Sequence, residues 1–227
     1  MVDISTNVIK YFGERSPVER AASFDYCFNY FQSFRACHEI KALASPLNIE
    51  ASCLHLGYYL ASWGMLRGST VLHTKSYRFF APVIQAIAQE PPAIWGIDVN
   101  NYTDGNIAEL LELKGRISAA MAAKSSAGDL VTAPTDTLVT KVLLGVFGSV
   151  PAFDTFFKRG FRTVTDKAVK MDRHTLGAIG DFYIANAAAV DQQRARTLDF
   201  ASGLPTPLRY TRAKIIDMVF LIEGGGS

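Results

Sequence analysis

The chain has 227 residues, 49% of them hydrophobic and 19% charged, a composition that supplies a packed core and excludes a disordered chain. With 23 Lys and Arg against 21 Asp and Glu, the net charge of +2 does not by itself predict a nucleic-acid partner. The length suits one compact unit whose two lobes flank a cleft, since domains average roughly 150 residues.

The chain ends and the apolar stretches predict a cytoplasmic protein without a membrane span. The longest stretch free of Asp, Glu, Lys and Arg runs from Ala51 to Leu66, shorter than the roughly 18 to 20 residues that a span needs. The N-terminal residues lack the basic-then-apolar order of a secretory signal. The closing Gly224 to Ser227 resembles a flexible tail, so the predicted domain covers residues 1–223.

Apolar residues recur mostly at three- and four-residue spacing, which predicts an all-α fold of about eight helices. The predicted helices are Ser16 to Ala42, Asn48 to Ser62, Lys75 to Ala88, Asp104 to Ala123, Asp136 to Phe147, Pro151 to Phe161, Asp172 to Ala188 and Tyr210 to Ile222. Small and polar residues over 125–136 interrupt two periodic helices, and we therefore predict the boundary between two lobes there.

The cysteines and their neighbours raise the alternative of a structural metal. Cys37-His38 and Cys53-x-His55 offer soft ligands about 15 residues apart, which suits zinc. Adjacent residues make poor paired ligands on a helix, however, and the flanking pattern is helical. Because the number of cysteines is odd and no Cys-x-x-Cys occurs, we expect reduced thiols, no disulfide, no metal and no cofactor.

Charge is distributed unevenly along the chain. Residues 86–113 hold five acids and no Lys or Arg, whereas residues 155–175 hold two acids and six bases. The six bases are Lys158, Arg159, Arg162, Lys167, Lys170 and Arg173. Such a cluster is typical either of a nucleic-acid-binding surface or of a solvated helix face.

The segment from Thr135 to Thr155 predicts two helices joined by a tight hairpin. Gly148 suits a helix C-terminus because glycine readily takes positive φ, and Pro151 suits the first turn of the next helix. This arrangement places Asp154 about one turn into the second helix. A carboxylate there would either face a cleft or cap backbone amides, and capping is the commoner role of such a residue.

The residues from Phe147-Gly148 to Asp154-Thr155 resemble the helix-hairpin-helix (HhH-GPD) DNA glycosylases, in which a Phe-Gly-x-x-Pro-like segment leads to an Asp-Thr pair. The resemblance covers roughly 20 of the 227 residues. The family's usual Leu-Pro-Gly-Val-Gly hairpin is absent, and residues 131–136 read Val-Thr-Ala-Pro-Thr-Asp instead. The chain therefore resembles a divergent member of that superfamily.

The resemblance implies an all-α, two-lobed enzyme that flips a base of duplex DNA and hydrolyses its N-glycosidic bond. Asp154 would be the catalytic carboxylate, stabilising the oxocarbenium charge that develops on the deoxyribose. Lys141 would form a Schiff base in a member that also cuts the strand, but its spacing from Asp154 favours a monofunctional enzyme. The missing repair signatures favour a modified base, such as glucosylated hydroxymethylcytosine in phage DNA, over a damaged one.

Two further groups of residues belong to this hypothesis. The base pocket or wedge is predicted from Tyr58, Tyr59, Trp63 and Met65, although aromatics at helical spacing are also ordinary core residues. The DNA backbone would be bound by Arg67, Lys158, Arg159, Arg162, Lys167 and Lys170. The alternative is a non-catalytic helical module that binds nucleic acid or a partner in a defence or toxin–antitoxin system, with the same basic face and no chemistry at Asp154.

Overall fold

The computed structural model describes residues 2–13, 15–67, 71–122, 133–165 and 167–226. Over these residues the chain forms nine α-helices. They are α1 (Ile4–Gly13), α2 (Ala22–Ala36), α3 (Ile49–Ser62), α4 (Ala81–Gln89), α5 (Asp104–Ala122), α6 (Asp136–Phe147), α7 (Thr155–Phe161), α8 (Arg173–Asp191) and α9 (Arg212–Glu223). Short 3₁₀ helices lie at Ile40–Ala44, Val71–Thr74, Tyr77–Phe80, Ile94–Gly96 and Val99–Asn101. The predicted all-α class is confirmed at this level.

One small antiparallel sheet joins α8 to α9. Its strands are β1 (Arg196–Leu198) and β2 (Pro205–Arg209), and Leu198 pairs with Pro205. The sequence analysis missed this hairpin because a three-residue strand is too short to show a period of two, and the other strand holds two prolines, which sheets seldom accept.

Helices α6 and α9 form the centre of the molecule. Every residue of α6 from Leu138 to Phe147 is buried, as is every residue of α9 from Ala213 to Leu221. A helix that is mostly apolar and buried on every face is stable only when other elements surround it. Helices α2 and α3 pack on α6, while α1, α7 and α8 pack on α9.

The predicted helix boundaries are accurate where local signals mark them. Helix α6 begins and ends where predicted, because Thr135 caps its N-terminus and Gly148, at φ +67°, ends it. The single helix predicted from Ser16 to Ala42 is wrong. It begins only at Ala22 and ends near Cys37, because His38 takes φ +59° and turns the chain into a 3₁₀ helix.

Two other differences concern the chain ends and one helix start. Helix α1 was not predicted, and the helix expected from Pro151 begins four residues later, at Thr155. The glycines of the predicted tail are placed as far as Gly226, with Gly224 buried against α7 and its carbonyl accepting a hydrogen bond from Arg159. The predicted lobe boundary lies largely in residues 123–132, outside the described residues.

Within the described ranges, no helix combines the length and the apolar character that crossing a bilayer requires. Cys27 and Cys53 are buried free thiols, and Cys37 is an exposed one.

Close packing between α3 and α6 depends on Gly145. A Cβ atom at this position would lie 2.5 Å from the Tyr59 ring, which is itself buried. We expect Gly145→Ala to lower the free energy of unfolding by about 1 to 3 kcal/mol, as overpacked core substitutions do. Urea unfolding followed by circular dichroism measures this change.

The matched control is Gly115→Ala in the interior of α5, where an added Cβ meets no atom within 4 Å. This substitution should stabilise the protein by about 0.5 to 1 kcal/mol through helix propensity. Equal effects of the two substitutions would contradict the close contact of α3 and α6.

Candidate active site

The loop between α6 and α7 is buried, although loops normally lie on the surface. Ser149, Val150 and Phe153 have no exposed surface, and Ala152 is 4% exposed. Buried backbone groups must find hydrogen-bond partners. The conformation of this loop therefore depends on the side chains that supply those partners.

Side chains from helices α6 and α9 and from the loop before α5 supply them. The Ala152 N–H donates to the Asp217 carboxylate at 2.9 Å, and the Phe153 N–H donates to the Thr140 hydroxyl at 2.8 Å. The Thr137 hydroxyl donates to the Phe153 carbonyl, and Tyr102 donates to that of Ser149. Because the amides of 152 and 153 are used internally, they are not free to bind a phosphate.

Asp154 follows this loop directly and is the N-cap of α7. Its Oδ1 accepts hydrogen bonds from the N–H groups of Phe156 and Phe157 at 3.1 and 3.0 Å. Its Oδ2 lies 3.1 Å from Nζ of Lys141, and the side chain remains 17% exposed. The sequence analysis left open whether this carboxylate caps a helix or faces a cleft, and the structure shows that it does both.

Lys141 brings a positive charge to this carboxylate from the buried helix α6. Its side chain is 3% exposed, and its Nζ lies 5.2 Å from the centroid of the Trp63 ring. Lys141 and Asp154, which the sequence analysis named as two separate catalytic candidates, therefore form a direct ion pair. Its ammonium is engaged by the carboxylate and the indole together.

The end of α3 delivers Trp63 and Met65 to the same place. The Gly64 N–H donates to the Ala61 carbonyl and the Met65 N–H to the Leu60 carbonyl, with Gly64 at φ +78°. This is the hydrogen-bond pattern of a Schellman C-cap, in which glycine takes the left-handed position. Gly64, which follows the predicted end of this helix at Ser62, therefore also determines the direction of the chain beside Asp154.

These elements enclose a cleft of about 180 Å³, which we call the Asp154 cleft. Its charged lining consists of Arg20, Arg67, Lys141 and Asp154, so three cations face one anion. Trp63, Met65, Thr137 and Phe156 are among its other walls. An excess of positive charge around a small opening favours an anionic or electron-rich group, such as a part of a nucleotide.

Trp63 is half-buried and lies among three cations. The Arg20 guanidinium and the ammonium groups of Lys141 and Lys214 lie 4.9, 5.2 and 5.6 Å from its ring centroid. An aromatic face attracts cations electrostatically. Because three cations surround the indole, little of its ring face is free to stack on a base. Trp63 instead holds positive charges close to Asp154.

A second buried ion pair contacts the loop between α6 and α7. Nζ of Lys214 lies 2.9 Å from Oδ2 of Asp217, whose other oxygen accepts the Ala152 N–H. Burial alone would lower the pKa of Lys214, but the charge of Asp217 and the contact with Tyr11 outweigh it and raise that pKa. Lys214 therefore keeps its positive charge, and its ion pair with Asp217 connects α9 to the loop that carries Asp154.

The structure brings five predicted site residues together and leaves the others elsewhere. Asp154, Lys141, Trp63, Met65 and Arg67 all line the Asp154 cleft. Tyr59 lies in the core, 2% exposed, because Gly145 of α6 leaves room for its ring.

Tyr58, on the opposite side of α3, is 71% exposed and lines a different, larger groove. One face of α3 thus packs in the core, and the other meets solvent.

The predicted DNA-binding cations follow Asp154 along α7 and the next loop. Arg159 donates to the Gly224 carbonyl, which ties it to the end of α9. Lys158 is partly buried, and the remaining cations are exposed, namely Arg162, Lys167 and Lys170. Among the described residues, no carboxylate lies within ion-pair distance of Lys158, Arg162, Lys167 or Lys170.

Sequence reasoning missed Arg20 and the Lys214–Asp217 pair. Arg20 was assigned to a helix interior, and no local pattern connects it to residues more than 40 positions away. Lys214 and Asp217 did carry a signal, since two charges three residues apart interrupt an otherwise apolar helix. Charges in such a position must be paired when they are buried, which would have identified them as structural.

In the described part of the chain, no group of three His, Cys, Asp or Glu side chains is arranged to hold a metal ion. Comparisons with models of protein families, with curated proteins and with solved structures found no significant match.

The buried pair under the loop predicts a large effect on stability. Lys214→Met leaves the Asp217 carboxylate buried without its counter-charge and should lower the free energy of unfolding by about 3 to 5 kcal/mol. The double variant Lys214→Met/Asp217→Asn should recover part of this loss, because an amide oxygen still accepts the Ala152 N–H. Urea unfolding measures both.

Arg173→Met is the control, since Arg173 and Asp104 form an exposed ion pair at 2.9 Å. Exposed pairs contribute little, and the unfolding midpoint should stay unchanged. A Lys214→Met variant as stable as this control would show that the buried pair does not hold the loop.

Proposed function

We propose that the protein is a DNA glycosylase that flips a base and hydrolyses its N-glycosidic bond with Asp154. The observation that carries this proposal is the position of the Asp154 carboxylate, which opens into a cleft beside Trp63, Met65 and three cations. The helical fold and the order helix, turn, capped Asp agree with the resemblance to the HhH-GPD superfamily, which would make the fold two-lobed and the cleft its DNA-binding face.

The charges of the cleft fit the chemistry of this reaction. Breaking the N-glycosidic bond leaves positive charge on the deoxyribose, and a fixed carboxylate stabilises it or orients the attacking water. The cap and the ion pair hold Asp154 in place before substrate arrives, so little reorganisation is needed. The cations around it would bind the phosphates that flank the sugar.

We further propose a monofunctional enzyme. A lysine that forms a Schiff base must reach the sugar with a free amine. Lys141 is 3% exposed and its Nζ is held 3.1 Å from Asp154, which favours an electrostatic role instead. The substrate is proposed to be duplex DNA with a modified or damaged base, and a modified cytosine of phage DNA would make the protein a defence enzyme.

A non-catalytic binding module is the second candidate, and one observation favours it. Both hydrogen bonds that Asp154 accepts at Oδ1 come from the N-terminal amides of α7, so the residue has a sufficient structural reason to be there. On this alternative the cations bind a nucleic acid and Asp154 serves only the helix.

Substitution of Asp154 separates the two candidates. Asp154→Asn keeps an oxygen that accepts the two amide N–H groups but removes the negative charge, so we expect a folded protein whose rate falls by about 100-fold or more. The measurement is the formation of abasic sites in normal and base-modified phage DNA. Asp154→Asn/Lys141→Gln, which also removes the unpaired ammonium, should be equally inactive.

Asp172→Asn is the matched control, because Asp172 caps α8 through the Thr175 N–H and lies outside the cleft. This variant should keep full activity. If no DNA yields abasic sites with the unchanged protein, the glycosylase proposal fails and the binding module remains.

The basic segment predicts the salt dependence of binding. Lys167 and Lys170 are exposed, and replacing both by Ala should reduce the slope of log affinity against log salt by about 2, one for each lost phosphate contact. Fluorescence anisotropy with a labelled duplex at several salt concentrations measures this slope. Lys41→Ala, an exposed lysine next to α4, is the control and should leave it unchanged.

A further inference from the structure

A groove of about 510 Å³ lies next to the Asp154 cleft and is larger than it. Its floor lies between α2 and α3, and its walls are the loop before α2 and the turn between β1 and β2. Five side chains give it an apolar and aromatic lining: Val18, Tyr26, Leu54, Tyr58 and Phe200. We call it the aromatic groove.

The groove and the cleft are adjacent parts of one surface. Arg20 and Ser62 line both of them, so a ligand that leaves the cleft past these two residues enters the groove. A polymer with one unit at Asp154 would therefore place a neighbouring unit here.

Contacts hold the Tyr26 and Phe200 rings of the groove in place, and the rings of Tyr58 and Phe200 are largely exposed. The Tyr26 hydroxyl donates to the Pro17 carbonyl, and the Tyr26 ring meets Phe200 edge-on, with centroids 5.0 Å apart. An edge contact covers at most one face of one of the two rings, and Phe200 is 78% exposed and Tyr58 71%. Exposed aromatic rings held in place before binding are well suited to stacking.

The charges of the groove select a neutral ring over a phosphate. Glu19 and Arg20 contribute one charge of each sign to its lining. His55 stacks on Tyr30 with centroids 4.1 Å apart, and burial lowers its pKa, so that at neutral pH it adds no positive charge. The cationic cleft and the near-neutral groove thus suit different parts of a nucleotide.

We propose that the aromatic groove binds an unstacked nucleobase of the polynucleotide whose neighbouring nucleotide lies in the Asp154 cleft. This inference rests on the proposed function, which supplies DNA as the binding partner. It adds that the DNA strand is unstacked beside the cleft. A base inside a duplex is covered on both faces by its neighbours, so only an unstacked base can lie on Tyr58 or Phe200. The groove therefore favours a duplex that is opened next to the flipped base, and single-stranded DNA is the simplest probe of that opened state.

The test compares binding of a fluorescein-labelled single-stranded oligonucleotide with binding of its intact duplex. The protein is the full chain carrying Asp154→Asn, so that no turnover occurs. Tyr58→Ala and Phe200→Ala should each weaken single-strand binding by about 5- to 100-fold, since stacking contributes about 1 to 3 kcal/mol for each base. Duplex affinity should change by less than about 2-fold, and the salt slope should stay constant because no phosphate contact is lost.

Two controls accompany these variants. Tyr58→Phe keeps the ring and should retain binding, whereas Leu47→Ala removes an 88% exposed apolar side chain outside the groove and should change nothing. Because Tyr58, Phe200 and Leu47 are exposed, these substitutions should leave the fold intact, and circular dichroism checks it.

Unchanged single-strand affinity in both Ala variants, or an equal loss for duplex, would overturn the proposal. So would self-association of the unsubstituted protein in light scattering that Tyr58→Ala abolishes, because the groove would then join two copies of the chain. The assay reads binding alone, so its outcome is independent of whether abasic sites form, and the two proposals can fail separately.

Discussion

Two helices that are buried on every side carry the charges on which the arrangement of the site depends. Helix α6 brings Lys141 into the interior, and α9 brings Lys214 and Asp217. A buried charge is tolerated only when it is paired, and each of these finds its partner within 3.1 Å. One pair includes Asp154, the residue that ends the loop after α6, and the other pair holds a backbone amide of that loop. Pairing of the buried charges therefore also fixes the position of Asp154.

The two roles of Asp154 are compatible because a carboxylate has two oxygens and accepts several hydrogen bonds. One oxygen completes the N-terminus of α7, and the other meets Lys141 at the cleft. A cap that is fixed by backbone amides orients the second oxygen more precisely than a free side chain would. Under the glycosylase proposal the structural role of this residue is thus the means by which it is positioned, and not an argument against its chemistry.

Local signals in the sequence predicted only part of this arrangement. The limits of α6 and the turn after Trp63 were readable, because Thr135 caps a helix through its side-chain hydroxyl, and Gly148 and Gly64 end helices by taking positive φ. The start of α7 was not readable, because Pro151 suits the first turn of a helix. In the structure residues 149–153 are instead non-helical, and this conformation lets the loop form hydrogen bonds with Asp217 and Thr140. The cleft also includes Arg20, which only the folding of the chain brings to Trp63.

The size of the cleft bears on the kind of substrate the site can serve. At about 180 Å³ it is smaller than the roughly 300 to 1,000 Å³ of sites that enclose a whole small ligand, so it has room for only a part of a nucleotide. A free small molecule of that size would bury little surface and bind weakly. A polymer, in contrast, gains its affinity on surfaces outside the cleft, and the basic segment after α7 and the aromatic groove beside α3 provide surfaces of two different chemistries. The division between a cationic cleft, a cationic flank and a near-neutral aromatic groove is what a polynucleotide, with its separate charged and aromatic parts, would require.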